Sequence, residues 1–153
     1  MTGGTKVNGR KRHYLVDTEG HLLAVLVHAA NVDEREGARW VFGYVARRWT
    51  QLHKVWADQG YTGDLSAWLR HEYGIELEVV VKAADQEGFV VLPRRWVVER
   101  SIAWYGRGRR FAKDYERLPE YSESWIYIGS IHLLLQRLRP RRDVERPYAR
   151  KVA

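Results

Sequence analysis

Two acidic residues carry the chemistry that this chain offers. Asp58 stands in Val55-Trp56-Ala57-Asp58-Gln59-Gly60-Tyr61, and Glu99 in Arg94-Arg95-Trp96-Val97-Val98-Glu99-Arg100. The first reads as a carboxylate at the end of a short buried strand, the second as one on a helix that opens with two arginines. Carboxylate oxygens that converge from distant points of a chain hold Mg²⁺ or Mn²⁺, and two such ions can activate water and stabilise a phosphodiester transition state. Each residue also has a plainer reading. Asp58 can cap the loop that follows it, and Glu99 can pair with Arg95 one turn earlier or with Arg100 beside it.

The elements that must position this pair follow from periodicity. Residues 13–17 and 21–28 are rich in Leu and Val around the turn residues Thr18-Glu19-Gly20, which predicts a β-hairpin. Asp33 reads as a helix N-cap with Glu36 three positions on. Ala38, Val41, Phe42, Val45, Trp49 and Leu52 then recur at helical spacing, so a helix to about Leu52 is expected to bury that face and expose Arg39, Arg47 and Arg48. Lys54 to Asp58 is expected as a strand and Leu65 to Tyr73 as a helix closed by Gly74. A second strand is expected over Ile75 to Lys82, parallel to the first if the helix connects them. Pro93 suits the first position of a helix running to about Lys113. A last helix, from about Glu120 to Leu138, is expected to bury Trp125, Ile128, His132, Leu135 and Leu138. The fold class is α/β, a mixed sheet with flanking helices, and Asp58 lies at the carboxyl end of a strand, where such sheets gather ligands.

With 153 residues, 45% of them hydrophobic, the chain can bury a real core. It has no cysteine, which excludes disulfides, thiolate metal sites and a cysteine nucleophile. No apolar stretch follows the basic N-terminal residues, and the longest apolar run, Leu22 to Val27, is far short of a membrane span, so a cytoplasmic protein is expected. Charge is unevenly placed. Residues 1–92 hold 11 Lys/Arg against 12 Asp/Glu, whereas residues 93–153 hold 15 against 7. A basic excess confined to the second part is the footprint of a protein that meets phosphates, or else a solvated helix with a basic tail.

Four blocks in order carry a resemblance. They are Gly9-Arg10-Lys11-Arg12-His13-Tyr14-Leu15-Val16-Asp17-Thr18-Glu19-Gly20, His28-Ala29-Ala30-Asn31-Val32, Trp56 to Tyr61, and Phe89 to Arg100 followed by Arg107 to Tyr115. Over residues 6–139 the chain resembles the DDE transposases of bacterial insertion sequences, of the IS-five-like group. The resemblance implies an RNase H-like fold in which three acids bind two Mg²⁺ ions, cut DNA and direct a 3′-hydroxyl onto target DNA. Asp58 matches the second acid and Glu99 the third. The first acid belongs on an opening strand upstream of the Gly-Arg-Lys-Arg-His block and has no counterpart here. Asp17, at the far end of a strand before a tight turn, reads as a turn residue and not as a replacement.

The resemblance therefore implies residues 1–139 as a truncated catalytic domain lacking its first strand, followed by a basic, poorly ordered tail at 140–153. Impaired catalysis and unproductive binding of Mg²⁺ or Mn²⁺ are expected. Arg95 agrees with the arginine that related enzymes place one turn before their Glu. Seven residues after Glu99 the related enzymes often have Lys or Arg; here that position is Gly106, with Arg107 next. Arg95, Arg100, Arg107, Arg109, Arg110 and Lys113 are the expected DNA contacts, interleaved with Trp104, Tyr105 and Phe111. The expected partners are transposon-end and target DNA, and a second copy paired through an unpaired sheet edge as a homodimer; neither a membrane nor a small-molecule substrate is expected. A non-catalytic DNA-binding or subunit-association module is the alternative, and an RNA-binding domain fits the charge but not the acidic pair. His13, His21 and His28 follow strand spacing and no ligand motif, and Ser101 and Ser130 lack a placed base, so neither metal-histidine nor serine-nucleophile chemistry is expected.

Overall fold

The structure, a computed structural model, describes residues 9–80, 95–108, 111 and 113–139, without the side chain of Arg95. Strands β1 (Arg10–Val16) and β2 (Leu22–Ala29) form the expected hairpin. Its turn closes through Asp17, whose Oδ1 accepts from the backbone N–H groups of Glu19 and His21, both at 2.8 Å. Gly20 completes the reversal at φ +86°. Alternation of side chains gives the hairpin two faces. Leu15 and Ala24 join the main core, while Val25 and Val27 pack with Ile126 in a smaller cluster on the other side.

Helix α1 (Glu34–Val45) starts where expected, capped by Asp33 accepting from the Arg35 N–H at 2.9 Å. It stops at Val45 and not near Leu52. Seven more helical residues would carry the chain about 10 Å away from Lys54, where the next strand must begin; a turn instead brings Leu52 onto the core and leaves Trp49 47% exposed. Strand β3 (Lys54–Ala57), helix α2 (Leu65–Tyr73) and strand β4 (Glu76–Val79) form a parallel β-α-β unit, as expected. Leu65 and Leu69 are fully buried, and Gly74 ends α2 in the left-handed region with its N–H on Arg70 O.

Helix α3 (Arg95–Gly106) ends well before the expected Lys113, because Gly106 and Gly108 interrupt it and the chain turns, Gly108 N–H donating to Tyr105 O. Its buried face is Val97, Ser101 and Tyr105, while Trp96, Ile102 and Ala103 are exposed. Helix α4 (Pro119–Leu138) has the expected bounds but the opposite orientation. Ser122, Ile126 and Ser130 are buried, whereas Ile128, His132, Leu135 and Leu138 are exposed and Trp125 is half-buried. The hydroxyls of the buried serines are satisfied: Ser122 Oγ donates to Asp114 Oδ1 at 2.7 Å, and Ser130 is hydrogen-bonded to Tyr105. Glu123 and Tyr127 then accept from the outward N–H groups of Val27 and Val25 at 2.8 and 3.3 Å.

The four strands do not form one sheet. β1 pairs with β2 and β3 with β4, and among the described residues no backbone hydrogen bond joins β1 to β3. Residues 81–94 and 140–153 lie outside the described residues, and with them the expected end of the second strand at Lys82, the expected helix start at Pro93 and the expected basic tail. No helix among the described residues is long and apolar enough to cross a membrane.

The hairpin is locked onto α3 at its turn. Ser101 Oγ lies 2.9 Å from Gly20 O, and Arg100 Nη2 donates to Glu19 O at 2.7 Å. A Cβ on Gly20 would stand 2.6 Å from Ser101 Oγ at a φ that side chains resist. Gly20→Ala is expected to lower stability by about 2–3 kcal/mol in urea unfolding, while Gly43→Ala, whose Cβ has room and a helical backbone, is expected to raise it by about 1 kcal/mol.

Candidate functional site

Asp58 follows the last residue of β3 and caps a 3-10 turn, Gln59–Tyr61, its Oδ1 accepting from the Gly60 N–H at 3.0 Å. The plainer role read from sequence is thus fulfilled, and Asp58 is exposed. Glu99 sits on α3, also exposed. The two carboxylates, far apart in the chain, line one cavity of about 300 Å³ whose walls come from β1, β3, α1 and α3.

The turn that carries Asp58 is anchored from below. His28 Nδ1 donates to Ala29 O at 2.8 Å, which makes its Nε2 an acceptor. His13 Nε2–H donates to that nitrogen at 2.6 Å, and His13 Nδ1 in turn accepts from the Tyr61 hydroxyl at 2.7 Å. Both rings are buried and stacked, with centroids 4.7 Å apart. They fit only because α1 presents Gly37 here, where a Cβ would run into Nε2 of both rings. Burial, reinforced by His28 alongside, holds His13 well below the ordinary histidine range, at about 4. Burial likewise pushes the Tyr61 hydroxyl up to about 12, with Asp58 and Glu34 adding to the effect. Sequence reasoning passed over this chain of groups, although His13, His28 and Tyr61 all lie in the blocks that carry the resemblance.

A further carboxylate, Glu34, approaches the same turn, its Cγ 3.8 Å from where a Cβ on Gly60 would lie, but Lys11 Nζ engages it at 2.8 Å. Hard carboxylate oxygens suit Mg²⁺ or Mn²⁺. Their number does not complete a two-ion centre, because among the described residues no group of three or more His, Asp or Glu could hold a metal ion.

The basic residues divide into two sets. Arg10, Lys11 and Arg12 are internal staples: Arg10 reaches Asp114 at 3.1 Å and Arg117 O at 2.6 Å, Lys11 reaches Val32 O at 2.7 Å, and Arg12 reaches Phe111 O at 2.9 Å. Arg100 is held too, its guanidinium between the rings of Trp96 and Trp104 at 4.3 and 4.7 Å. Arg107 and Lys113 are exposed. Arg109, Arg110 and the side chain of Arg95 lie outside the described residues.

A family model described as a transposase DDE domain matches residues 1–134. The chain belongs to the DDE transposases. It is similar to the putative transposase of insertion sequence element IS402 from Burkholderia cepacia, 29% identical over 131 residues that cover 79% of this chain and 60% of the relative. The chain therefore spans about 60% of the length of that relative. No solved structure matches. The α/β arrangement agrees with an RNase H-like DDE domain whose sheet is divided in two.

His13 sets a pH dependence. Its folded pKa of about 4 lies below the unfolded 6.5, so the unfolded chain takes up the proton first as pH falls. The stabilisation is complete above pH 6.5 and is lost between 6.5 and 4, by about 3 kcal/mol. Urea unfolding at pH 7 and pH 4.5 should show this loss, and His13→Gln should flatten it. Gly37→Ala, which in an ordinary helix would add about 1 kcal/mol, is expected to cost about 2 kcal/mol here by forcing the two rings apart.

Proposed function

We propose that this chain is a metal-dependent DNA strand-transfer domain of an insertion-sequence transposase, with Asp58 and Glu99 as its acidic ligands and with impaired catalysis. The observation that supports this reading is that Asp58 and Glu99 line one cavity at the carboxyl end of β3. The family uses a divalent metal; Mg²⁺ or Mn²⁺ is the ion proposed for this chain, and the bound ion would supply the Lewis acid for phosphodiester chemistry. The residues of the chain do the rest. The 3-10 turn orients the Asp58 carboxylate, the histidine pair and Tyr61 fix that turn, and α3 carries Glu99 across the cavity. Transposon-end and target DNA would run along the basic residues that follow Glu99: Arg95, Arg100, Arg107, Arg109, Arg110 and Lys113. Arg107 and Lys113 are the exposed members, and Arg100 would contribute chiefly by holding α3 to the hairpin.

One observation favours a second reading, a non-catalytic DNA-binding or subunit-association module: the acids gathered among the described residues fall short of a metal-holding group. In that case a homodimer would use the exposed apolar side of α4, where Ile128, Ile131, Leu135 and Leu138 stand in the open.

Titration of Mn²⁺ into the chain separates the readings. The first expects binding that weakens by about tenfold or more in Asp58→Asn and in Glu99→Gln, with trace nicking of supercoiled plasmid that vanishes in both variants. Unchanged Mn²⁺ affinity in the double variant would remove the acid pair from the site. Under either reading DNA affinity should fall steeply from about 50 to 200 mM salt, and Arg107→Ala and Lys113→Ala should each reduce the log–log slope by about 0.9.

A further inference from the structure

The exposed apolar side chains of the molecule sort by chemistry. On α4 they are mostly aliphatic: Ile128, Ile131, Leu134, Leu135 and Leu138. Along α1 and the turn that follows it they are aromatic. Trp40, Tyr44 and Trp49 are 46, 49 and 47% exposed, and between Glu34 and His53 no large aliphatic side chain is exposed. Tryptophan is ordinarily well buried, so two left in the open so close together point to a use for that surface.

These rings are held in place. Trp40 meets His28 edge to face at 5.8 Å, and Arg48 lies over the Tyr44 ring at 4.5 Å. Tyr73 of α2 borders the same helix, its hydroxyl 3.7 Å from where a Cβ on Gly43 would lie, and Trp68 meets its ring edge to face at 5.4 Å. A ring already fixed by its neighbours loses little freedom when a flat partner lands on it. Cations are interleaved with the rings: Arg47 and Arg48, between Tyr44 and Trp49 in the chain, are exposed. Glu36, one turn before Trp40, is exposed as well and sets the acidic end of this side of α1. Flat rings with arginines among them suit bases on the rings and phosphates on the guanidinium groups.

Spacing decides whether those bases can be paired. Trp40 and Tyr44 stand one helical turn apart, about 6 Å along the axis, whereas neighbouring bases of a duplex follow one another at about 3.4 Å and cover each other's faces. Only a strand whose bases have come apart can lay them on both rings.

We propose that the outward side of α1 is a platform for the unpaired bases of single-stranded DNA, with Trp40 and Tyr44 as the stacking rings and Arg47 and Arg48 as phosphate contacts. The choice of DNA as the strand rests on the strand-transfer reading above. The platform itself rests on the placement of rings and charge, needs no metal, and is separate from the basic residues around Glu99.

The test is fluorescence anisotropy of the full chain with a labelled oligothymidine of about 15 nucleotides and with a duplex of the same length, both without divalent metal. Trp40→Leu and Tyr44→Leu keep apolar bulk but remove the flat ring. Each should weaken oligothymidine binding by about fivefold or more, at the melting temperature of the parent chain, and leave duplex binding unchanged. Trp40→Phe, which keeps a ring, should retain most of the affinity, and Arg47→Ala should lower the log–log salt slope for oligothymidine by about 0.7. The proposal is overturned if the Leu variants bind oligothymidine as the parent chain does, if duplex binding falls in the same proportion, if an abasic oligonucleotide of equal length binds as tightly, or if the Leu variants instead lose a self-association seen in sedimentation. Failure of the parent chain to bind the duplex would count against the strand-transfer reading and not against the platform.

Discussion

The contact that the arrangement depends on is the buried histidine pair with Tyr61. The hairpin and the parallel β-α-β unit share apolar neighbours but no backbone ladder between β1 and β3 among the described residues. A hydrogen-bonded chain from Ala29 O through His28 and His13 to the Tyr61 hydroxyl therefore sets where the Asp58 turn sits relative to the hairpin. Apolar packing is tolerant of small slides, whereas a chain of directional bonds with one permitted tautomer at each ring is not. The cost of this precision is that His13 must stay neutral and that α1 must present bare backbone at Gly37.

Charge follows the same division between building and binding. Of the basic residues, those in the Arg10-Lys11-Arg12 block are consumed in holding β1 to the segments around Glu34 and Asp114. Arg100 and Arg137 share the ring of Trp104, at 4.7 and 4.5 Å, tying α3 to α4. A count of arginines thus overstates the surface that is free to meet phosphate, and the exposed Arg107 and Lys113 are the better guide.

The sequence made legible what local periodicity controls. The hairpin, the parallel pair around α2 and the Gly74 cap follow directly from alternation, spacing and glycine. Lengths and faces of helices were less legible. α1 ends early because its chain must turn into β3, a constraint outside its own residues, and α4 buries Ser122 and Ser130 where their hydroxyls meet Asp114 and Tyr105, partners that hydropathy does not foretell. Asp58 and Glu99 stood out through the words around them, and their shared cavity could not be read from spacing. The histidine pair was hidden for a related reason. His13 and His28 meet diagonally across the hairpin register, a relation visible only once His13 is known to face Leu26 and His28 to face Lys11.

The bonding of the outer strands has a consequence for growth. Along β2 the outward N–H groups of Val25 and Val27 are bonded to side chains of α4, so a strand from another molecule finds fewer open partners on that rim. A rim occupied in this way is a poor starting point for the open-ended stacking that leads to fibrils.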